Sequence, residues 1–308
     1  MMNNPMLARL QALGLIIRLP AVVAYSGGGL LLAAGLAGRE YLSGTAGLNM
    51  LLLTLSVLLL HGLAAHAVND WIDWQSGTDR LSPGLLSGGS GVIPRRLLNL
   101  LDLVRISAAA VILALILAAV LVYRLGWPVV LFLLVGLWSV AAYSLPPLQL
   151  AYRPFTGEWL CAFPALLAVI WGAHWSITGK LTRRLILASL IYSFMAQAWV
   201  AEHHLPDMAA DLAAQPPKIT SPAWVTRRFG LQAARLVPAL YAALGLPLVI
   251  YSRSLYRRPQ IIHAGWPALG SIVLALSAAP DNVQATTAAE LLMMALTLVE
   301  AGLLIALM

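Results

Sequence analysis

Apolar residues run through this chain in blocks far longer than a soluble helix or strand needs, and the polar residues gather between the blocks. The stretch LNMLLLTLSVLLLHGLAA, residues 48–65, has neither a period-two alternation nor a polar face of period 3.6. A helix that is apolar on all sides lies in protein or in lipid. About 20 such residues cross the hydrocarbon core of a bilayer. That criterion predicts about nine helices, over 13–37, 46–68, 98–121, 126–144, 158–176, 183–205, 231–251, 260–279 and 287–307. The expected fold class is therefore all-α. It is a polytopic membrane protein, one transmembrane domain over residues 1–308, with its helices bundled around a central apolar cavity. Arg18 and Pro20 place the start of the first helix at the interface and predict a bend there.

Composition agrees with that picture. Charged residues make up 10% of the chain and mean hydropathy is +0.84, against roughly 25% charged in soluble domains. The single cysteine, Cys161, excludes an intramolecular disulfide and reads as a buried, inert thiol. The first apolar block runs on too far for a cleaved signal peptide and reads as a retained span. The net charge of +7 fits contact with anionic lipid heads. No basic platform interleaved with aromatic residues points to nucleic acid.

The acids narrow the location of the chemistry. Of twelve in the chain, Asp70, Asp73, Asp79, Glu158, Glu202, Asp207 and Asp211 fall at or beside the connections after helices two, four and six. With alternating spans, those three connections share one face of the membrane. The other loops hold mainly Glu40 and basic residues. Lys and Arg are modestly more frequent on the acidic face, which predicts a cytoplasmic N-terminus and a cytoplasmic acidic face.

Spacing then suggests a ligand. Asp70 and Asp73 are three apart, Asp207 and Asp211 four apart, so on helices each pair shares a face. Each pair is expected to close an apolar helix and to open a polar loop. A lone aspartate at a span end reads most simply as a cap or a solubilising charge. Two like-charged pairs, both followed by basic residues, favour a cation held between them. Oxygen ligands without a His/Cys cluster point to Mg²⁺, with Mn²⁺ as a substitute, and Mg²⁺ commonly bridges to substrate phosphates.

NDWIDWQSGTD, residues 69–79, resembles the first aspartate-rich motif of the UbiA superfamily of intramembrane prenyltransferases. LPDMAAD, residues 205–211, resembles the second motif. YSLPPLQLAYRPFTGE, residues 143–158, is similar to the stretch that links them. The G-x-D ending of the first motif, with GGSGVIP after it, leans toward the menaquinone-type branch, which prenylates dihydroxynaphthoate. The resemblance implies transfer of a polyprenyl group from its diphosphate to an aromatic acceptor within the membrane. It also implies metal held by Asp70, Asp73, Asp207 and Asp211, with Asn69 and Asp79 completing that shell. Arg80, Arg153 and Lys218 then become candidate diphosphate contacts, and Tyr143 a ring facing the allylic cation. A bacterial inner membrane is the expected location.

This chain departs from the family pattern at HHLPDMAAD, where histidines precede the second motif. On a continuous helix His203 shares a face with Asp207 and Asp211, so it becomes a candidate for the acceptor or metal shell, while His204 points about 100° away. Glu158 is either an acceptor-site acid or a helix cap. His61 and His66 read as satisfied helix histidines, and Trp71 and Trp74 as interfacial belt residues. Two other functions stay open. A terpene cyclase of the same superfamily would use the same aspartates without an acceptor. A secondary transporter would place its ionisable residues nearer the midplane.

Overall fold

The computed structural model describes residues 5–39, 43–84 and 86–308, so Glu40 lies outside the described residues. These form helices α1 (Pro5–Ile17), α2 (Leu19–Ala37), α3 (Gly44–Ser76), α4 (Leu100–Leu125), α5 (Pro128–Ser144), α6 (Glu158–Thr178), α7 (Arg183–His203), α8 (Leu231–Tyr256), α9 (Pro259–Ser277) and α10 (Val283–Leu307), and the described residues contain no strand. The chain is an integral membrane protein. Eight of its described helices are long and apolar enough to cross a membrane, rather than nine. The exception is α5, whose 17 residues reach about 26 Å at 1.5 Å per residue, short of the ~30 Å hydrocarbon core.

The first predicted span is broken, not bent. Arg18 adopts a left-handed conformation, φ 49°, and the chain restarts as α2 with Pro20 in its first turn. Proline inside a helix lacks a donor and collides with the preceding turn, but the first turn accepts it. α3 shows the opposite departure. It continues past the expected end at residue 68 and carries the first aspartate motif as helix up to Gly77, whose φ of 95° terminates it.

α4 shows how the bundle packs. Its buried positions Leu103, Ser107, Ala110, Ala114, Ala118 and Leu121 follow helical spacing, and most of them are small. Small residues let two membrane helices approach closely, and Ser107 Oγ donates to Ala64 O of α3 at 3.1 Å. On the opposite side Ile112, Leu113, Ile116 and Val120 are exposed, as a lipid-facing flank requires. α7, the most enclosed span, packs against α6, α8 and α10. π-helical segments interrupt α2 at Val23–Gly27 and α3 at Leu58–Ala65, and one opens α6 at Glu158–Ala162. Such segments often mark functional positions because they re-aim side chains.

Candidate functional site

A cavity of about 660 Å³ runs into the bundle from the loops that follow α3 and α7. Its polar end is built from segments far apart in sequence. Asp73, on the last turns of α3, accepts hydrogen bonds from Lys218 Nζ at 2.6 Å, Tyr152 OH at 2.8 Å and Asn69 Nδ2 at 3.0 Å. Asp70 is ion-paired with Arg18 and accepts from the Ser90 backbone N–H at 3.1 Å. Asp207 accepts from Ser82 Oγ. Asp211 is 1% exposed, and neither of its carboxylate oxygens has a hydrogen-bond partner.

The loop after α3 is shaped by its glycines. Gly89 has φ +81°, and a Cβ there would sit 2.2 Å from Asp79 Oδ2. Only glycine lets this backbone lie against Asp79 and present Ser90 N–H to Asp70. The second motif is positioned differently from the sequence expectation. α7 ends at His203, residues 204–207 are turns, and Asp207 precedes a separate short helix, Met208–Ala213. His203, Asp207 and Asp211 therefore do not share one helical face. After that short helix the chain folds back, Lys218 N–H donating to Asp211 O at 2.8 Å, and this brings the ammonium to Asp73.

The charges are crowded. Burial raises the Asp79 carboxyl well above the usual range, Asp73 and Asp70 raise it further, and Arg18 and Lys218 oppose them. Burial likewise raises Asp211 well above the usual range, opposed by Lys218 and reinforced by Asp207 and Asp73. Lys218 is itself held well above its ordinary value, because Asp73 and Asp211 outweigh the burial that would lower it. Even with Arg18 and Lys218 present, burial and mutual repulsion disfavour the ionised forms of Asp79 and Asp211, so a further cation beside them would be stabilising.

The predicted site residues divide clearly. Asn69, Asp73, Asp79, Tyr143, His203, Asp207 and Lys218 line the cavity. Asp70 and Asp211 stand behind it, Asp70 because Arg18 and Ser90 draw it aside. Arg80 is exposed and stacks on Trp74, 5.3 Å from its ring centroid, and Arg153 is exposed with Nη2 donating to Pro147 O at 3.4 Å. Neither arginine lines the cavity. Glu158 is buried and accepts from Ser221 Oγ, tying α6 to the helix Ser221–Phe229, and it also lies outside the lining. His203 turns to α10, Nδ1 to Glu290 Oε1 at 2.8 Å, and His204 lines the cavity rather than pointing away from it.

The sequence reading missed Arg18 and Arg95 as cavity cations, Ser82, Ser90 and Tyr152 as carboxylate partners, and Glu290. Glu290 carried a usable signal, since an acid inside an apolar span is costly and usually functional. The assignment of His61 and His66 as satisfied histidines holds only in part. Each has a partner, Ser26 Oγ at 2.6 Å and Ile16 O at 3.1 Å, yet both also line the cavity.

The donor set fits Mg²⁺. It offers carboxylate and amide oxygens, and Asp211 is a buried carboxylate with nothing bonded to it. Among the described residues no three of His, Cys, Asp and Glu converge into a ready-made cage. That is compatible with an ion that keeps waters and takes part of its coordination from substrate phosphates.

No family model and no curated protein sequence matches this chain. Solved structures do. A UbiA homologue from Archaeoglobus fulgidus bound to GPP and Mg²⁺ superposes with a TM-score of 0.59 at 17% identity, over 95% of this chain and 99% of that one. The structure of such a homologue bound to DMAPP and Mg²⁺ gives 0.58 at 16% identity, over 95% and 99%. A third, described without ligands, gives 0.58 at 16% identity, over 97% and 99%. Over nearly its whole length, then, this chain has the all-helical membrane fold of those UbiA homologues.

Proposed function

We propose that this chain is a membrane-embedded prenyltransferase, which moves a polyprenyl group from its diphosphate to an aromatic acceptor with Mg²⁺, or Mn²⁺ in its place. The observation that carries this reading is one cavity with two unlike ends. Carboxylates and cations meet at the loop end, and beyond them lies an apolar arm lined by Leu53, Leu60, Val129, Phe132 and Leu133. A prenyl diphosphate has the same two-ended chemistry. The A. fulgidus homologues, solved with GPP or DMAPP and Mg²⁺, put such ligands in the same fold.

In this reading Asp73, Asp79 and Asp207, with Asn69, front the cavity as direct metal ligands, while Asp70 and Asp211 support them. Mg²⁺, when bound, supplies positive charge against the departing diphosphate. Lys218, Arg18 and Arg95 are the cations able to hold its oxygens in place. Tyr143 lines the cavity beside Cys161 and presents a ring where positive charge develops on the prenyl carbon. The apolar arm holds the tail and keeps water from the reacting carbon. The face with the aspartates is assigned to the cytoplasm of a bacterial inner membrane on the modest excess of Lys and Arg there. The likeness lends no support to the menaquinone-type branch. In this chain the glycine loop that prompted it has a geometric task, against Asp79 and Asp70.

The test is purified protein with Mg²⁺, several prenyl diphosphates and an acceptor panel, with products read by mass spectrometry. Prenylated acceptor should form, vanish with EDTA, and fall at least about 100-fold in Asp73→Ala and Asp207→Ala, the scale of lost charge stabilisation. Unchanged turnover after exhaustive chelation would sink the mechanism. A cyclised hydrocarbon with no acceptor adduct would move the assignment to a terpene cyclase.

A further inference from the structure

A second polar group of residues lines the same cavity on the side of α2, α7 and α10, and the metal-and-diphosphate chemistry leaves it unused. The π-turn of α2 carries Tyr25 and Ser26, and the π-turn of α3 carries His61. Ser26 Oγ and His61 Nδ1 are 2.6 Å apart. Tyr25 sits against His61 and Trp199, with ring centroids 5.3 and 5.9 Å away. These rings form an aromatic stretch of the cavity wall, and the part of the cavity in front of them is the slot. His203 and Glu290, 2.8 Å apart, also line the cavity here.

Two buried polar atoms of the slot are unanswered. Trp199 is 4% exposed and its Nε1 has no hydrogen-bond partner, and Glu290 is 1% exposed and its Oε2 has none. Both residues line the cavity. A buried donor and acceptor left without partners have lost their hydration with nothing to replace it, so they mark where a polar ligand belongs. The carboxylate of Glu290 accepts from Nδ1–H of His203, which fixes the tautomer and leaves Nε2 as the basic nitrogen. His203 and Asp207 are four positions apart, at most about 14 Å of extended chain, so the base lies within substrate reach of the diphosphate end.

Charge selects the ligand. Among the described residues the lining cations are Arg18, Arg95 and Lys218. Arg18 is paired with Asp70, Lys218 with Asp73, and Arg95 belongs to the glycine loop. The slot itself presents a carboxylate, Glu290, which would repel an anionic ring.

Building on the prenyltransferase reading, we propose that this slot is the acceptor subsite, that it takes an uncharged hydroxyarene, and that His203, oriented by Glu290, is the base that removes the hydroxyl proton. The arene O–H bond breaks and its proton goes to His203 Nε2. The electron pair, through oxygen or through the conjugated ring carbon, forms the bond to prenyl C1. The C1–O bond breaks and its pair leaves with diphosphate. After attack through carbon, tautomerisation moves one ring proton to oxygen. His203 is the catalytic residue and Glu290 a positioning residue.

The experiment uses the full chain in detergent, geranyl diphosphate with Mg²⁺, and three acceptors: 1-naphthol, 1-hydroxy-2-naphthoate, and a nitro-substituted naphthol already ionised at the assay pH. Wild type should prenylate 1-naphthol at least tenfold better in kcat/KM than the carboxylated ring, and the reverse preference overturns the assignment without any variant. His203→Gln and Glu290→Gln should bind geranyl diphosphate within threefold of wild type, which also verifies folding. Their kcat for 1-naphthol should fall about 100-fold, the low end for loss of a general base. The ionised naphthol, which Glu290 repels, should be a slow substrate of wild type at any concentration below saturation. Because it needs no base, the loss in kcat between wild type and variant should nonetheless shrink at least tenfold. Equal losses on the two naphthols, or wild-type rates, overturn the role of the dyad. Binding of 1-naphthol alone reads the slot directly, and Trp199→Phe should weaken it about tenfold. Unchanged affinity there counts against the slot. Naphthol binding without geranyl diphosphate binding would instead sink the proposed function and leave the slot standing.

Discussion

Replacing Lys218 by methionine isolates the electrostatics of the carboxylate cluster, because Met keeps most of the stem and removes the ammonium. Lys218 and Asp73 are 5% and 2% exposed, and Nζ lies 2.6 Å from Oδ2. At an effective dielectric of about 20, charges at that distance attract by about 6 kcal/mol. The loss on truncation is smaller, since removing one partner of a buried pair costs about 3–5 kcal/mol. Lys218→Met should therefore destabilise the metal-free protein by roughly 3–5 kcal/mol. Asp211 loses the same cation, so a bound metal should be worth more in the variant than in wild type. The assay is denaturant unfolding in detergent followed by tryptophan fluorescence, with EDTA and with saturating Mg²⁺. Mg²⁺ should recover at least half of the loss. A loss below about 1 kcal/mol in EDTA, the range of exposed pairs, would refute the reasoning. So would a loss of equal size with and without Mg²⁺.

Three further outcomes are expected. Gly89→Ala places a Cβ against Asp79 at a positive φ, so turnover should drop at least tenfold with a loss of about 1–3 kcal/mol in unfolding free energy, and wild-type turnover would show that the glycine loop does not position Asp79. Arg80→Ala and Arg153→Ala should each stay within threefold of wild-type kcat/KM, because both side chains lie outside the cavity, and a tenfold fall in either would place it on the diphosphate after all. Burial, with Lys218 and His203 adding to it, holds His204 well below the ordinary histidine value. The folded chain then binds fewer protons at this residue than the unfolded chain once pH drops below about 6.5. Stability is consequently lost as pH falls from about 7 to 5, by up to about 1.4 kcal/mol per unit. His204→Asn should flatten that slope in unfolding measured at pH 7, 6 and 5, and parallel slopes would refute the assignment.

The fold and the polar end of the cavity were legible in the sequence for a local reason. An apolar block long enough for a bilayer must satisfy its own backbone hydrogen bonds, so its length and composition dictate a helix. The order of the motifs NDWIDWQSGTD and LPDMAAD likewise marked both halves of the polar end. Element ends were less legible. The polar tail of α3 remained helical because Gly77, not the membrane edge, stops it, and Pro20 broke the first span rather than bending it. What side chains meet was beyond the sequence altogether. Arg80 and Arg153 have the right chemistry for phosphate, but their backbone positions turn them outward. Arg18 does the pairing instead, with Asp70 52 residues away. Lys218 reaches Asp73 across 145 residues, and His203 finds Glu290 across 87. Such pairings depend on how separate helices pack and on which buried charge lies nearest, and no periodicity along one segment encodes either. The sequence by itself determined a bundle of membrane helices with aspartates at one end; the tertiary structure alone decided which carboxylates face the cavity, which cations hold them, and that a histidine with a buried glutamate lines the other side.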